Sequence, residues 1–198
     1  MDGIDLSIQC LPPRAAREEW LSEAERAHVA ALGFGERRRN EWVRGRVAAR
    51  GKLTAKFGDE VAAGLSLLSD EDGAPRLEGK SDCAISLSHD GDYFAVAISD
   101  AALTRVAVDI CLPQHQARLH RVFSRLGMSI RKRDLLAAWA GLECFLKLRR
   151  MGIATLLDTP VMLTLSDDGI QVSAFGSTVS FALLRHELFV VAWGGETS

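Results

Sequence analysis

The stretch LLAAWAGLECFLK, residues 135–147, limits what this chain can fold into more than any other. Leu135, Leu136, Ala137, Ala138, Trp139, Ala140, Leu142, Cys144, Phe145 and Leu146 make it apolar on nearly every side, the pattern of a helix enclosed by protein. Only Glu143 and Lys147 interrupt it. Four residues apart, they emerge from one face, one turn above the other. On a solvated helix this would be an ordinary ion pair. Among apolar neighbours an unpartnered charge costs enough to shift its pKa or to unfold a marginal domain. Such a pair belongs where a cleft, a metal or an anionic ligand compensates it.

The rest of the sequence can supply that setting. With 198 residues, 47% hydrophobic and 25% charged, the chain can bury a real core and form one domain or two small lobes. Its start, MDGIDLSIQ, is not the basic and then apolar pattern of a signal peptide, and no apolar run reaches the ~18 residues of a membrane span. A cytoplasmic protein without a membrane partner is expected. Cys10, Cys83, Cys111 and Cys144 are scattered without CxxC or zinc spacing, so neither a disulfide framework nor structural zinc is expected. A net charge of −2 argues against affinity of the whole protein for nucleic acid. Locally, Arg37, Arg38, Arg39, Arg44, Arg46, Arg50, Lys52 and Lys56 form an anion-attracting run.

In chain order, residues 4–11 read as a strand stopped by Pro12 and Pro13. Ser22, followed by Glu23 and Glu25, caps a helix over residues 23–32, and residues 36–57 form a long helix ended by Gly58. Residues 65–68 enter a turn over residues 69–73. A hairpin follows, with strands at 83–89 and 93–98 around Asp90-Gly91. The second half repeats this order: a strand at 104–110, a helix at 130–150, a strand at 161–165, a turn ending in Gly169, and a hairpin of 179–184 with 188–193. Trp42 and Trp139, Gly73 and Gly169, and Phe94 and Phe189 are spaced by 97, 96 and 95 residues. These spacings favour two related lobes, residues 1–101 and 102–198, each a small, mainly antiparallel sheet packed with a long helix in an α+β fold. Superposing the helices sets Arg46 against Glu143 and Arg50 against Lys147, and a groove between lobes is a common ligand site.

In RVAVDIC, residues 105–111, alternation puts Arg105, Ala107, Asp109 and Cys111 on one face. Asp109 reads either as a turn or cap residue, or as a partner of Glu143. Two carboxylates from a strand end and a buried helix would make a hard oxygen site suited to Mg²⁺, which keeps waters and takes substrate phosphates. Arginines would supply the other half of a phosphate site. His89 reads as a surface histidine at a hairpin tip, or, with Ser86 and Ser88, as a phosphate contact.

Taken together, SLSHDGDYFAVAIS, VAVDI and WAGLECFLK, in that order behind the helix RRRNEWVRGRVAAR, resemble the 4′-phosphopantetheinyl transferases, specifically the larger two-lobed type that activates peptide and polyketide synthases. The resemblance spans residues 21–193. It implies the transferase fold and transfer of phosphopantetheine from coenzyme A to a serine of an acyl or peptidyl carrier protein. Mg²⁺, with Mn²⁺ as an alternative, would sit on the pyrophosphate. Carried over by position, Asp109 and Glu143 would be the metal ligands, and Glu143 would also activate the serine. Lys147 would contact the phosphates and protonate the leaving group. Ser88 and His89 would hold the nucleotide, and Arg39, Arg46 and Arg50 would lie in the matching basic helix. Pro75 and Arg76 occupy the place of a Gly-Lys-Pro element. A chain that supplies both lobes itself is expected to be a monomer.

The chain departs from the pattern at three places. Cys111 replaces the second acid of Asp-x-Glu, Leu142 replaces the lysine before the helix glutamate, and Ala74 replaces the lysine of Gly-Lys-Pro, where Arg76 could restore charge. A divergent transferase and a noncatalytic homologue that binds coenzyme A or a carrier are both compatible with these changes. So is a plain interaction protein whose basic helix meets an acidic partner.

Overall fold

Edge strands and buried helices organise the computed structural model, which describes residues 3–12, 17–99 and 103–197. The expected boundary between residues 101 and 102, and Pro13, lie outside the described residues. The fold is α+β. Strand β1 (Ile4–Cys10) leads to α1 (Glu23–Ala31), α2 (Glu36–Phe57) and the short α3 (Asp59–Ala63). A hairpin of β2 (Ser66–Ser69) and β3 (Pro75–Glu78) follows, then a second of β4 (Ile85–Asp90) and β5 (Tyr93–Ser99). The remaining elements are β6 (Arg105–Cys111), α4 (Gln116–Arg125), α5 (Leu135–Arg149), β7 (Met162–Leu165), β8 (Gly169–Ala174), β9 (Ser177–Arg185) and β10 (Val190–Glu196). The sheets run β1-β5-β4 and β6-β10-β9-β8-β7, with β2-β3 apart, and every pairing is antiparallel.

Local chemistry accounts for several boundaries. Ser22 and Glu25 form a reciprocal capping box on α1, with hydrogen bonds of 3.1 and 2.8 Å. Glu25 also accepts from Arg50 at 2.7 Å and from the Leu67 N–H at 2.8 Å, so one buried carboxylate joins α1, α2 and β2. The buried helix begins five residues later than expected, at Leu135. Arg131 is extended there and its guanidinium holds Asp134 at 2.7 Å, so the chain before Asp134 turns away from the helix axis. Helix α4, which buries only Leu119 and Phe123, was not anticipated. Strand β8 was also missed, although Ile170, Val172 and Ala174 are buried in strict alternation. The turn of the β4–β5 hairpin is Gly91–Asp92, one residue beyond the expected Asp90-Gly91, because Asp90 pairs with Tyr93. Gly91 has φ +56°, a conformation that glycine adopts without strain.

The layers follow from which strand face is apolar. Phe94, Val96 and Ile98 of β5 pack on Ala48, Ala49 and Leu53 of α2. Its opposite face carries Ala95 and Ala97, which meet Val106, Val108 and Ile110 of β6 and Val191 of β10. Beyond β6, Ala107 and Cys111 face α5. The order through the molecule is therefore helix, sheet, sheet, helix.

Helix α5 presses closely on β8. A Cβ at Gly141 would come within 2.6 and 2.7 Å of Ile170 side-chain carbons. Gly141→Ala is expected to destabilise the fold by about 1–3 kcal/mol through overpacking. Urea unfolding should show a lower midpoint at unchanged slope, and an unchanged midpoint would mean that Ile170 moves aside freely.

Candidate active site between the two halves

Strand β6 delivers Asp109 to the face of α5 that carries Glu143 and Lys147. The Asp109 side chain is buried, and its Oδ1 accepts from Lys147 Nζ at 2.8 Å and from Ser88 Oγ at 2.7 Å. Lys147 Nζ also donates to the Val108 carbonyl at 2.8 Å. Burial pulls the Lys147 ammonium down, but the Asp109 carboxylate and other negative neighbours more than offset this and hold it above its usual value. Burial pushes the Glu143 carboxyl up, Asp109 adds to the rise, and Lys147 partly opposes it. The two acids thus share one electrostatic neighbourhood, as a common ligand requires.

Cys111 lies in the same field. Burial first, then Asp109, Asp90 and Glu143, push its thiol well above its usual value, so it stays protonated near neutrality. A protonated thiol is no ligand for a hard cation. Asp109 Oδ2 and both Glu143 oxygens make no hydrogen bond among the described residues. That donor set fits Mg²⁺, which accepts one or two carboxylates with waters and phosphate oxygens completing the shell. Among the described residues no group of three or more metal-binding side chains converges.

A cleft of about 1010 Å³ opens between the halves. Pro75, Arg76, Ser86, Arg105, Lys147 and Arg150 are among its walls. Lys147 therefore lines the cleft while gripping Asp109. Arg150, which ends α5 with φ +54°, reaches across to Asp70 at 2.9 Å and Asp72 at 3.3 Å in the β2–β3 turn. Ala74 also lines the cleft, and the Arg76 guanidinium lies 3.7 Å from Glu78.

The structure does not bring the arginines of α2 to this cleft. Arg39 pairs with Glu18, with Nη2 at 2.7 Å. Arg46 donates to the Leu67 and Leu68 carbonyls and to Ser69 Oγ at 2.9 Å, and burial lowers its pKa to about 10. Arg50 holds Glu25 and the carbonyls of Ala62 and Leu65. All three brace the N-terminal half; like Asp109, Glu143, Ser88 and His89 they are not among the residues that line the cleft, but unlike Asp109 they make no hydrogen bond to Lys147, which does line it. The expected wall of arginine opposite the carboxylates is corrected accordingly. Arg46 and Arg50 satisfy buried backbone carbonyls and the buried Glu25, whereas Arg39 makes a surface ion pair with Glu18.

The expected phosphate contacts also sit differently. Ser86 and Ser88 spend their hydroxyls on β6, accepting from the N–H groups of Val108 at 3.1 Å and Ile110 at 3.3 Å. His89 stacks on Phe94 with ring centroids 5.3 Å apart, and its Nε2 is 4.0 Å from Glu41. Burial lowers its pKa below the ordinary 6.5, against the pull of Glu41.

Sequence reasoning passed over Asp90, His115 and Arg150. Asp90 accepts from the Leu112 N–H at 2.8 Å and meets His115 Nε2 at 2.9 Å. It also passed over a signal that was available. Residues 110–133 contain no acid but carry Arg118, Arg121, Arg125, Arg131, Lys132 and Arg133. Arg118, Arg121 and Arg125 lie exposed on α4.

Residues 24–99 match the family model for the 4′-phosphopantetheinyl transferase N-terminal domain. The match supports the 4′-phosphopantetheinyl transferase superfamily, a family of transferases. It runs from α1 to the end of β5, so Asp109, Glu143 and Lys147 lie beyond it. No curated protein matches the chain. No helix among the described residues is long and apolar enough to cross a membrane.

Proposed function

We propose that this chain is a divergent two-lobed phosphopantetheinyl transferase that moves the 4′-phosphopantetheine arm of coenzyme A onto a serine hydroxyl of an acyl or peptidyl carrier protein. Adenosine 3′,5′-bisphosphate is the other product. The observation that carries this reading is the meeting of Asp109, Glu143 and Lys147 beside the cleft, with Lys147 common to both.

Each residue has a task in such a transfer. Coenzyme A lies in the cleft, its diphosphate directed at Lys147 and its outer phosphate within reach of Arg76. Asp109 and Glu143 would hold Mg²⁺, or Mn²⁺ in its place, and the ion would supply charge neutralisation at the diphosphate. Glu143, held above the ordinary carboxylate range, takes the serine proton as the new oxygen–phosphorus bond forms. The bond from that phosphorus to the departing nucleotide breaks, and Lys147 gives a proton to the leaving phosphate oxygen. Positioning and charge neutralisation carry most of such a displacement. The exposed cations of α4 offer an acidic carrier a complementary approach. The reaction takes place in the cytoplasm, with the chain acting as a monomer.

The test is a mass measurement. Incubation with coenzyme A, Mg²⁺ and an apo carrier protein is expected to add one phosphopantetheine arm to the carrier, and a chelator is expected to stop it. Absence of transfer to any carrier, with coenzyme A still bound, would leave the noncatalytic homologue. That second reading is favoured by the protonated Cys111 thiol in place of a ligand.

A further inference from the structure

Strand β6 is an edge strand of its sheet, paired with β10 on one side only. Its other edge would expose a row of unpaired N–H groups, which proteins rarely leave open. Here β4 covers that edge with side chains. Ser86 Oγ accepts from Val108 N, Ser88 Oγ from Ile110 N, and Asp90 Oδ2 from Leu112 N, at 3.1, 3.3 and 2.8 Å. Each pair is separated by 22 residues, so the two strands run side by side in one direction. Side-chain oxygens replace the carbonyls of a neighbouring strand.

The middle rung differs from the others. Ser88 Oγ accepts from Ile110 N and also donates its proton to Asp109 Oδ1 at 2.7 Å. Lys147 Nζ approaches the same oxygen at 2.8 Å. With both donors on Oδ1, the carboxylate cannot rotate without losing two hydrogen bonds, and Oδ2 is left for a ligand. Ser86 makes the neighbouring rung but no hydrogen bond to Asp109.

We propose that Ser88 is a positioning residue that reaches from the N-terminal half to orient Asp109 for its cation, and that its hydroxyl is not a phosphate ligand. The proposal rests on the metal assignment made above. A hydroxyl engaged in both directions has its proton committed and no donor left for a phosphate oxygen. Mutation of a residue that orients a metal-binding side chain typically costs about 10–100-fold in metal affinity or activity.

The experiment uses the full chain and the variants Ser88→Ala, Ser88→Thr and Ser86→Ala. Mn²⁺ affinity is measured on the protein alone by electron paramagnetic resonance, and the KM for coenzyme A is measured at saturating Mg²⁺. Ser88→Ala is expected to weaken Mn²⁺ binding about tenfold or more with the KM for coenzyme A unchanged. Ser88→Thr, which keeps a hydroxyl, should restore the affinity. Ser86→Ala should lower the thermal midpoint without altering Mn²⁺ binding. Four results would overturn the proposal: a raised KM with normal Mn²⁺ affinity, equal metal loss in both alanine variants, no metal effect in Ser88→Ala, or no Mn²⁺ binding by the unaltered protein. Should Ser88→Ala fail to fold, Ser88→Thr with normal affinity supports the proposal, and Ser88→Thr with lost affinity contradicts it. The metal measurement needs no transfer, so a protein that binds Mn²⁺ but modifies no carrier separates failure of the proposed function from failure of this assignment.

Discussion

Glu143→Gln is expected to lower the rate of carrier modification by about 10²–10⁴-fold, the usual range for loss of a general base, while making the free protein more stable at neutral pH. The second effect follows from the environment of the carboxyl. Burial and Asp109 raise its folded pKa above the ordinary 4.5. A carboxyl whose folded value is raised favours the fold only while protonated. Its contribution is present below 4.5 and is withdrawn as pH rises through the raised value, because the folded state then holds the extra proton. At pH 7 an ionised Glu143 therefore works against folding, and a neutral amide of nearly the same shape removes that cost. Transfer assays and urea unfolding of one protein preparation would test both halves. Retained transfer would remove Glu143 from the mechanism, and lower stability would show that its carboxylate is better compensated than its surroundings indicate. Loss of activity with gain of stability is the expected mark of a site held under electrostatic strain.

Phe145→Ala is expected to cost about 3–5 kcal/mol, a large share of the roughly 5–15 kcal/mol that holds a typical domain together. Its ring is fully buried, two residues beyond Glu143, in the core that joins α5 to β6, β8, β9 and β10. The Arg149 guanidinium lies over it, 5.3 Å from its centroid. Truncation would leave a cavity that α5 can close only by shifting, and Gly141 already holds the helix against Ile170 with no room to move inward. The urea midpoint should fall steeply, with transfer lost at temperatures the unaltered chain tolerates. A change below about 1 kcal/mol would show that the helix repacks easily.

Much of the fold was legible along the chain. The apolar run of α5, the Ser22 cap of α1 and the glycine-marked hairpin of β4 and β5 are local patterns, and the structure contains all three. Helix α4 also carried a readable pattern, with Leu119, Val122, Phe123 and Leu126 at helical spacing, but the Pro113 connection drew the assignment instead. Strand β8 carried a readable alternation, but the turn that precedes it drew the assignment instead. Among the site residues, Asp109, Glu143 and Lys147 were visible as charges in apolar segments, whereas the partners of Ser88 and of the α2 arginines were not. A serine or an arginine in a sequence shows what it can donate, not which carbonyl or carboxylate lies within 3 Å of it.

The amino-acid sequence by itself determined that a nearly all-apolar helix must be enclosed and that its glutamate and lysine must share one face, because helical spacing and the cost of burying charge act within a few residues. Only the tertiary structure decided that Lys147 grips Asp109, that Ser88 serves the opposite half, and that Arg46 and Arg50 turn inward while Arg39 pairs with Glu18 at the surface. Those outcomes depend on which buried N–H and C=O groups lacked partners after the sheets had packed, and no stretch of chain carries that information alone.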